Sequence, residues 1–309
     1  MIFYFLDKNT DLKAMLKYYS LVNLFWQSAL ILSASGFAVV LGNRANAQIQ
    51  PDNTLGEQNS IVNDIDALNK RIDGGVKLDA NLFHSFQEFN VSEGGSVYFA
   101  NPQGITDIFS RVTGNNPSNI FGKLGVLGDA NLFLINPNGI VFGENASLDV
   151  GGSFVATTAN GVEFGEQGVF SASNPETPRL LSVNPSALFF NQVTAQSIEN
   201  KSRADAGRNP SNTFDTVGLR VPDGKSLLLV GGNVNMDGGK LNAFGGRVEL
   251  GGLAAPGSIN LLFEGDNLKL AFPENVTRAD VSLTNQAFVR VEADGGGDIA
   301  INARNLDIL

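Results

Sequence analysis

The chain has 309 residues, with 21 lysines and arginines against 31 aspartates and glutamates, a net charge of −10, and no cysteine. It therefore has no disulfide frame, no thiol chemistry and no thiolate metal site. The acidic balance, without any run of lysine or arginine, argues against nucleic acid or an anionic membrane as a partner.

Residues 1–47 read as an export signal. Lys13 and Lys17 precede the uncharged stretch Ala29–Leu41, and Ala45-Asn46-Ala47 supplies the small-x-small pattern of a signal-peptidase site. Cleavage after Ala47 leaves Gln48 as the mature start, and Met15 is an alternative initiator. The apolar stretch is short for a membrane span, and adding Leu21–Gln27 makes it only marginal. Removing residues 1–47 takes away four basic and two acidic residues, which leaves 17 against 29 and a mature net charge of −12.

Residues 48–99 carry a mixed pattern, SIVNDIDALNKRI and then the aromatic-rich NLFHSFQEF, and read as an N-terminal cap. Beyond Ala100 helical periodicity fades. Short apolar runs take over, punctuated by Gly, Asn, Asp and Pro: Leu132–Ile135, Ile140–Phe142, Ser153–Thr157, Leu180–Val183, Ala187–Phe190, Leu227–Val230, Arg247–Leu250 and Ser258–Phe263. Two turns within them are alike, Asn101-Pro102-Gln103-Gly104 before Ile105 and Asn136-Pro137-Asn138-Gly139 before Ile140. Both suit a type I turn, with Asn first, Pro second and Gly fourth. They are either binding loops or, more simply, corners of a repeating β structure.

The spacing of turns points to the architecture. Asn138–Glu144 (NGIVFGE) recurs as Asn160–Glu166 (NGVEFGE), an offset of 22, which predicts Ile140 beneath Val162 and Phe142 beneath Phe164. The glycine pairs at 231, 238, 245 and 251 enclose three short strands, which is one turn of a three-sided coil. An all-strand repeat of roughly 20–22 residues predicts an all-β parallel β-helix, whose rungs bury their apolar faces only by stacking. The division expected is 48–99 cap, 100–223 turn-containing coil and 224–309 repeats.

The stretches LFHSFQEFNV, VYFANPQGI and SRVTGNNPSNIFGKLGVLGDANLFLINPNGIVFGENASLDVGGSFVATTA together resemble the N-terminal secretion domain of filamentous-haemagglutinin-like exoproteins, chiefly the large cyanobacterial members. The resemblance runs from about Gln48 to Ala159 and continues more weakly through LLSVNPSALFF and GLRVPDGKSLLLVGGNV. It implies a right-handed β-helix and two-partner secretion. In that pathway the exported chain is recognised by the periplasmic POTRA domains of an outer-membrane β-barrel transporter and folds at the cell surface, and most members act as adhesins. It also implies that Asn101, Pro102, Gly104 and Ile105, with Asn136, Pro137, Asn138, Gly139 and Ile140, are the secretion-domain turn motifs. The NPNL tetrad of many proteobacterial members is not spelled out. The chain stops at GGGDIAINARNLDIL, within a rung, which reads as a truncated or split member or a short exoprotein. A monomer without cofactor is expected, its surface ligand unspecified.

Other chemistry has little support. His84 is the single histidine and no G-x-S-x-G elbow accompanies it, so it reads as a cap residue among aromatics. Gly218–Ser226 (GLRVPDGKS) has five residues, not four, between its glycines and runs into a strand, which makes it a corner and not a phosphate loop. Gly295–Asp298 is one imperfect copy of a calcium-binding repeat, and Glu163 with Glu166 reads as a solvated corner. A structural surface-layer protein and a β-helical polysaccharide-degrading enzyme are the alternatives.

Overall fold

A computed structural model describes residues 49–192, 195–265 and 267–309. The expected cleavage site at Ala45, Ala47 and Gln48 lies outside them. Short strands wind into a three-faced parallel coil. The longest face carries seven parallel strands in order: Asn81–Phe89, Asp107–Val112, Asn131–Ile135, Phe154–Thr157, Ser226–Gly231, Arg247–Gly252 and Asp298–Asn302. A second face stacks Ser118–Ile120, Ile140–Phe142, Ile198–Asn200, Val234–Asp237, Val281–Thr284 and Leu306–Ile308. The third runs from Asn69–Gly74 through Ser96–Ala100 and Lys123–Leu127 to Ser147–Asp149. Its pairing is broken there, and it resumes with Leu219–Arg220, Lys240–Asn242 and Phe288–Arg290.

Stacking in register explains why the sequence is apolar at these points. Leu82, Ile108, Leu132, Phe154, Leu227 and Val248 lie one above another and point into the coil, where all are buried. Because strand side chains alternate, their neighbours Phe83, Phe109, Phe133, Val155 and Leu228 point out of it. An outward apolar column must be covered, and an antiparallel sheet covers it. Gly161–Glu163, Val169–Ser171, Ala187–Phe190, Gly257–Glu264 and Asn267–Ala271 form this sheet. Val162, Phe164, Phe170, Leu188, Ile259 and Leu268 join the phenylalanines in a second buried core. Phe83 stacks on Phe109 at 5.2 Å and Phe109 on Phe133 at 4.6 Å, while Phe164 meets Phe109 edge-on at 5.1 Å.

That covering sheet corrects three expectations. The 22-residue step holds on the long face, where Leu132 pairs with Phe154. It fails for the echo itself: Ile140 pairs with Ile198, while Val162 pairs antiparallel with Phe170 and Leu188. The alternating apolar pattern makes both copies strands, but the exposed phenylalanine column draws the second copy out of the coil. Ser258–Phe263 is likewise an antiparallel strand of the covering sheet, paired with Ala187–Phe190. Leu180–Val183 is no strand. The Asn81 side chain takes the carbonyls of Leu181 and Val183 at 2.9 and 2.8 Å, and Gln167 Oε1 takes the amides of Ser182 and Val183. The glycine-pair segment behaves as expected, with Val234–Asp237, Lys240–Asn242 and Arg247–Gly252 on three different faces.

Parallel stacking begins inside the segment 48–99. Asn69–Gly74 already pairs parallel with Ser96–Ala100, and only Ile49–Pro51, Ser60–Asp64 and Val76–Leu78 run antiparallel at the open end. These antiparallel strands occupy edges that a further rung would otherwise cover. The rung that begins at Leu219 runs across 223/224 to Asp237 without interruption.

Replacing Phe109 by alanine removes the middle of the phenylalanine column. A loss of about 3–5 kcal/mol in unfolding free energy is expected by urea titration. Faster amide exchange in Gly161–Glu163 should accompany it, because that strand loses the surface it packs on.

Candidate functional site

The two Asn-Pro turns occupy different corners. Asn136-Pro137-Asn138-Gly139 leads from the long face to the second face, whereas Asn101–Ile105 leads from the third face to the long face. The first closes as expected, the Gly139 amide donating to the Asn136 carbonyl at 3.1 Å, and Gly139 holds φ +112, a conformation that suits glycine. The second closes one residue later: the Ile105 amide donates to the Pro102 carbonyl at 3.2 Å, which puts Gly104, at φ +83, in the position where positive φ is needed. So the 101–104 segment is not the type I turn expected from its proline.

Asn136 is fully buried and uses its whole amide. Its Oδ1 accepts the Asn138 amide at 2.9 Å; its Nδ2 donates to the Asn116 carbonyl and to Ser118 Oγ, both at 3.0 Å. Asn138 Nδ2 reaches down to the Gly114 carbonyl at 2.7 Å. The Asn136 backbone amide reaches up to the Thr157 carbonyl at 3.0 Å, and the Ile140 amide to the Ser197 carbonyl at 3.3 Å. One turn thus ties three successive rungs together. Asn101 does a smaller version of this, with Nδ2 on the Ile105 carbonyl at 3.1 Å and Oδ1 accepting the Ala130 amide at 3.2 Å.

A second polar centre lies where the capping strands meet the covering sheet. Arg111, fully buried, donates from Nε to Ser85 Oγ at 2.9 Å. Its Nη2 donates to Thr54 Oγ1 at 2.8 Å and to the Glu176 carbonyl at 3.0 Å, and its Nη1 to the Ser171 carbonyl at 2.9 Å. Its guanidinium stacks 4.3 Å from the Phe170 ring centroid. Asp52 collects the hydroxyls of Thr54, Ser85 and Thr113 at 2.6, 2.8 and 2.5 Å. Burial pushes the Arg111 pKa down to about 10, with the Asp52 charge opposing, so it stays cationic at neutral pH. For Asp52 burial raises the carboxyl pKa, yet the hydrogen bonds from Thr113, Thr54 and Ser85 together hold it below the usual value.

The sequence gives little warning of this centre, since its members lie between residues 52 and 176. The one visible signal is an arginine at an outward position of the apolar strand Asp107–Val112.

His84 points into the coil beside Phe86 and Phe99, fully buried, with Nδ1 3.1 Å from Ser60 Oγ. Burial pushes its pKa down to about 3, with Asp73 pulling weakly the other way. It has no access to a substrate. Pro222–Lys225 is a corner, closed by the Lys225 amide on the Pro222 carbonyl at 3.1 Å. Glu163 accepts Ser258 Oγ at 2.9 Å, and Asp298 accepts Arg247 Nη1 at 2.8 Å.

The TPS secretion domain family matches residues 47–301. The chain therefore belongs to this two-partner secretion family. Secretion domains of this family engage an outer-membrane transporter and direct export of the exoproteins that carry them across the outer membrane. The heme/hemopexin-binding protein of Haemophilus influenzae is 35% identical over 72 residues, which cover 23% of this chain and 8% of that protein. The crystal structure of the HMW1 secretion domain from Haemophilus influenzae superposes with a TM-score of 0.57 at 21% identity, over 84% of this chain and 57% of that one. A filamentous hemagglutinin secretion domain gives 0.36 at 14% identity, over 84% of this chain and 96% of its own. This chain thus spans little more than half of the HMW1 domain and a small part of the curated relative.

The buried histidine sets a pH dependence. Its folded pKa lies below its unfolded value of 6.5, so its contribution is complete above pH 6.5 and is lost as pH falls toward 3. Between pH 7.5 and 5 the wild type should lose about 2 kcal/mol more than His84→Gln does, read from urea midpoints at the two pH values.

Proposed function

We propose that residues 1–47 carry the chain across the inner membrane and are removed after Ala47, that POTRA domains of the outer-membrane transporter then recognise the unfolded secretion domain, and that the emerging chain folds rung by rung at the surface as a monomeric, non-enzymatic adhesin-type exoprotein. The observation that carries this reading is the family match itself, which begins at residue 47 and covers nearly all the described coil. Its start supports cleavage at Ala45-Asn46-Ala47.

Within this pathway the Asn136 turn acts through the fold, and only indirectly through recognition. Its buried hydrogen bonds to three rungs support that reading, because an exposed recognition loop would leave its side chains free. Asn101, Pro102, Gly104 and Ile105 serve the neighbouring corner, and Pro137 and Gly139 shape the main one. Folding outside the cell pulls the chain outward only if early rungs are stable once formed, so a weakened corner lowers export.

Asn136→Ala leaves the Asn138 amide and the Asn116 carbonyl without partners. A cost of about 1–3 kcal/mol is expected in the purified domain. Secretion should fall while binding of the unfolded chain to isolated POTRA domains stays unchanged. Loss of POTRA binding with thermal stability intact would make the turn a recognition element instead.

A further inference from the structure

The winding of the coil gathers cations that are far apart in the sequence. Lys240 and Arg290 both sit against the ring of Phe288, the Lys240 nitrogen and the Arg290 guanidinium carbon each 4.5 Å from its centroid. Arg290 also lies 4.6 Å from the centroid of Phe214, on the loop that joins the hairpin strands Asp205–Arg208 and Asp215–Val217. Arg203 approaches from the side, its Nε donating to the Gly238 carbonyl at 3.3 Å. Gly238 gives it room, since a Cβ there would overlap the guanidinium. Lys240 and Phe288 are register partners on adjacent rungs of the third face.

The compensation of these charges is incomplete. Arg290 pairs with Glu292 at 3.1 Å, but Arg203 and Lys240 form no ion pair among the described residues. On a chain with ten more acidic than basic residues, two unpaired cations close to a third are unexpected. Burial lowers the Lys240 pKa, and Arg203 and Arg290 lower it further, as like charges in mutual repulsion do. The cation–ring contacts and the hydrogen bonds of Arg203 and Lys240 to the Gly238 and Gln286 carbonyls hold the cluster in place but supply no countercharge to Arg203 or Lys240; an anion placed over it would relieve the repulsion.

We propose that Arg203, Lys240 and Arg290 form an anion-binding patch for an acidic polysaccharide, a linear glycan bearing carboxylate or sulfate groups. Three features choose this ligand class. The rings of Phe288 and Phe214 are already engaged by cations, which compete with nucleic-acid bases for stacking. The large exposed apolar side chains, such as Ile61, Ile65, Leu68 and Leu180, lie elsewhere, so the patch lacks the apolar centre of a protein interface. The cations come from three successive rungs, since the Lys240 amide donates to the Ser202 carbonyl beside Arg203 and Arg290 lies two residues beyond Phe288, the register partner of Lys240; this spread along the coil axis suits an extended polyanion. The proposal gives chemical content to the adhesin reading and rests on it for its biological setting. Binding is measured on purified folded chain and export on cells, so either can fail alone.

The test is isothermal titration of the full purified chain with polygalacturonate, with dextran sulfate, with neutral dextran and with a single-stranded oligonucleotide. Binding of one or both acidic glycans is expected, and none of neutral dextran; which acidic glycan binds identifies carboxylate or sulfate as the group read. The double variant Arg203→Gln with Lys240→Gln should weaken binding at least tenfold and flatten its salt dependence, and Arg203→Lys with Lys240→Arg should restore both. The melting temperature of the glutamine variant should equal or exceed that of the wild type, since repulsion is relieved. No binding of either acidic glycan, unchanged binding by the glutamine variant, or oligonucleotide binding as tight as the glycan would overturn the proposal. So would a destabilised glutamine variant whose stability the lysine and arginine exchange restores without restoring binding, because the cluster would then be a structural stack.

Discussion

Every rung of this coil depends on the backbone ladder between rungs. A strand of three to six residues cannot hold itself, and its amides and carbonyls are satisfied only by the rung above and the rung below. The ladder fixes register, and register fixes which side chains share a column. From Leu82 to Val248 one column runs inward through six strands without a polar residue. The adjacent column must then point outward, and its phenylalanines demand a cover. The antiparallel sheet, the departure of residues 158–192 from the coil and the double burial of the long face all follow from that alternation.

Buried polar groups do most of their fastening at two places. At the Asn136 corner the chain changes direction and its backbone groups would otherwise be stranded, so a side-chain amide substitutes for the missing strand partners. At Arg111 three parts of the fold converge: the segment after the first capping strand, the long face and the covering sheet with the loop that follows Ser171. A charged side chain with five donors can satisfy carbonyls and hydroxyls from all three at once. These are the two points at which the start of the coil is fastened. On the proposed route, in which the chain folds as it leaves its transporter, such fastening would hold the early rungs.

What could be read from the sequence was what depends on local pattern. Turn residues, short alternating runs and the 22-residue step identified a strand-built coil, and the step is found between Leu132 and Phe154. The glycine pairs from Gly231 to Gly252 outlined a complete rung. The echo at Asn160 misled because Val162 and Phe164 obey the same alternation whether they stack in the coil or lie across it. Leu180–Val183 misled for a related reason: its apolar residues suggest a strand, while the groups that occupy its backbone, Asn81 and Gln167, are distant or polar. Apart from an arginine at an outward position of Asp107–Val112, the Asp52–Arg111 centre and the cations around Phe288 were not legible. Their members come together only once the rungs are stacked, and they recur at no fixed spacing in the sequence.

The central claim is that coil and covering sheet form one cooperative unit, joined through the two-sided long face. Native-state amide exchange across a denaturant series tests it directly. The account predicts that the amides of Leu132–Ile135 on the long face and of Val162 and Leu188 in the covering sheet converge on a single opening free energy equal to that of global unfolding. If the covering sheet opens at markedly lower denaturant while the coil keeps its protection, the sheet is a separate appendage and the account is contradicted.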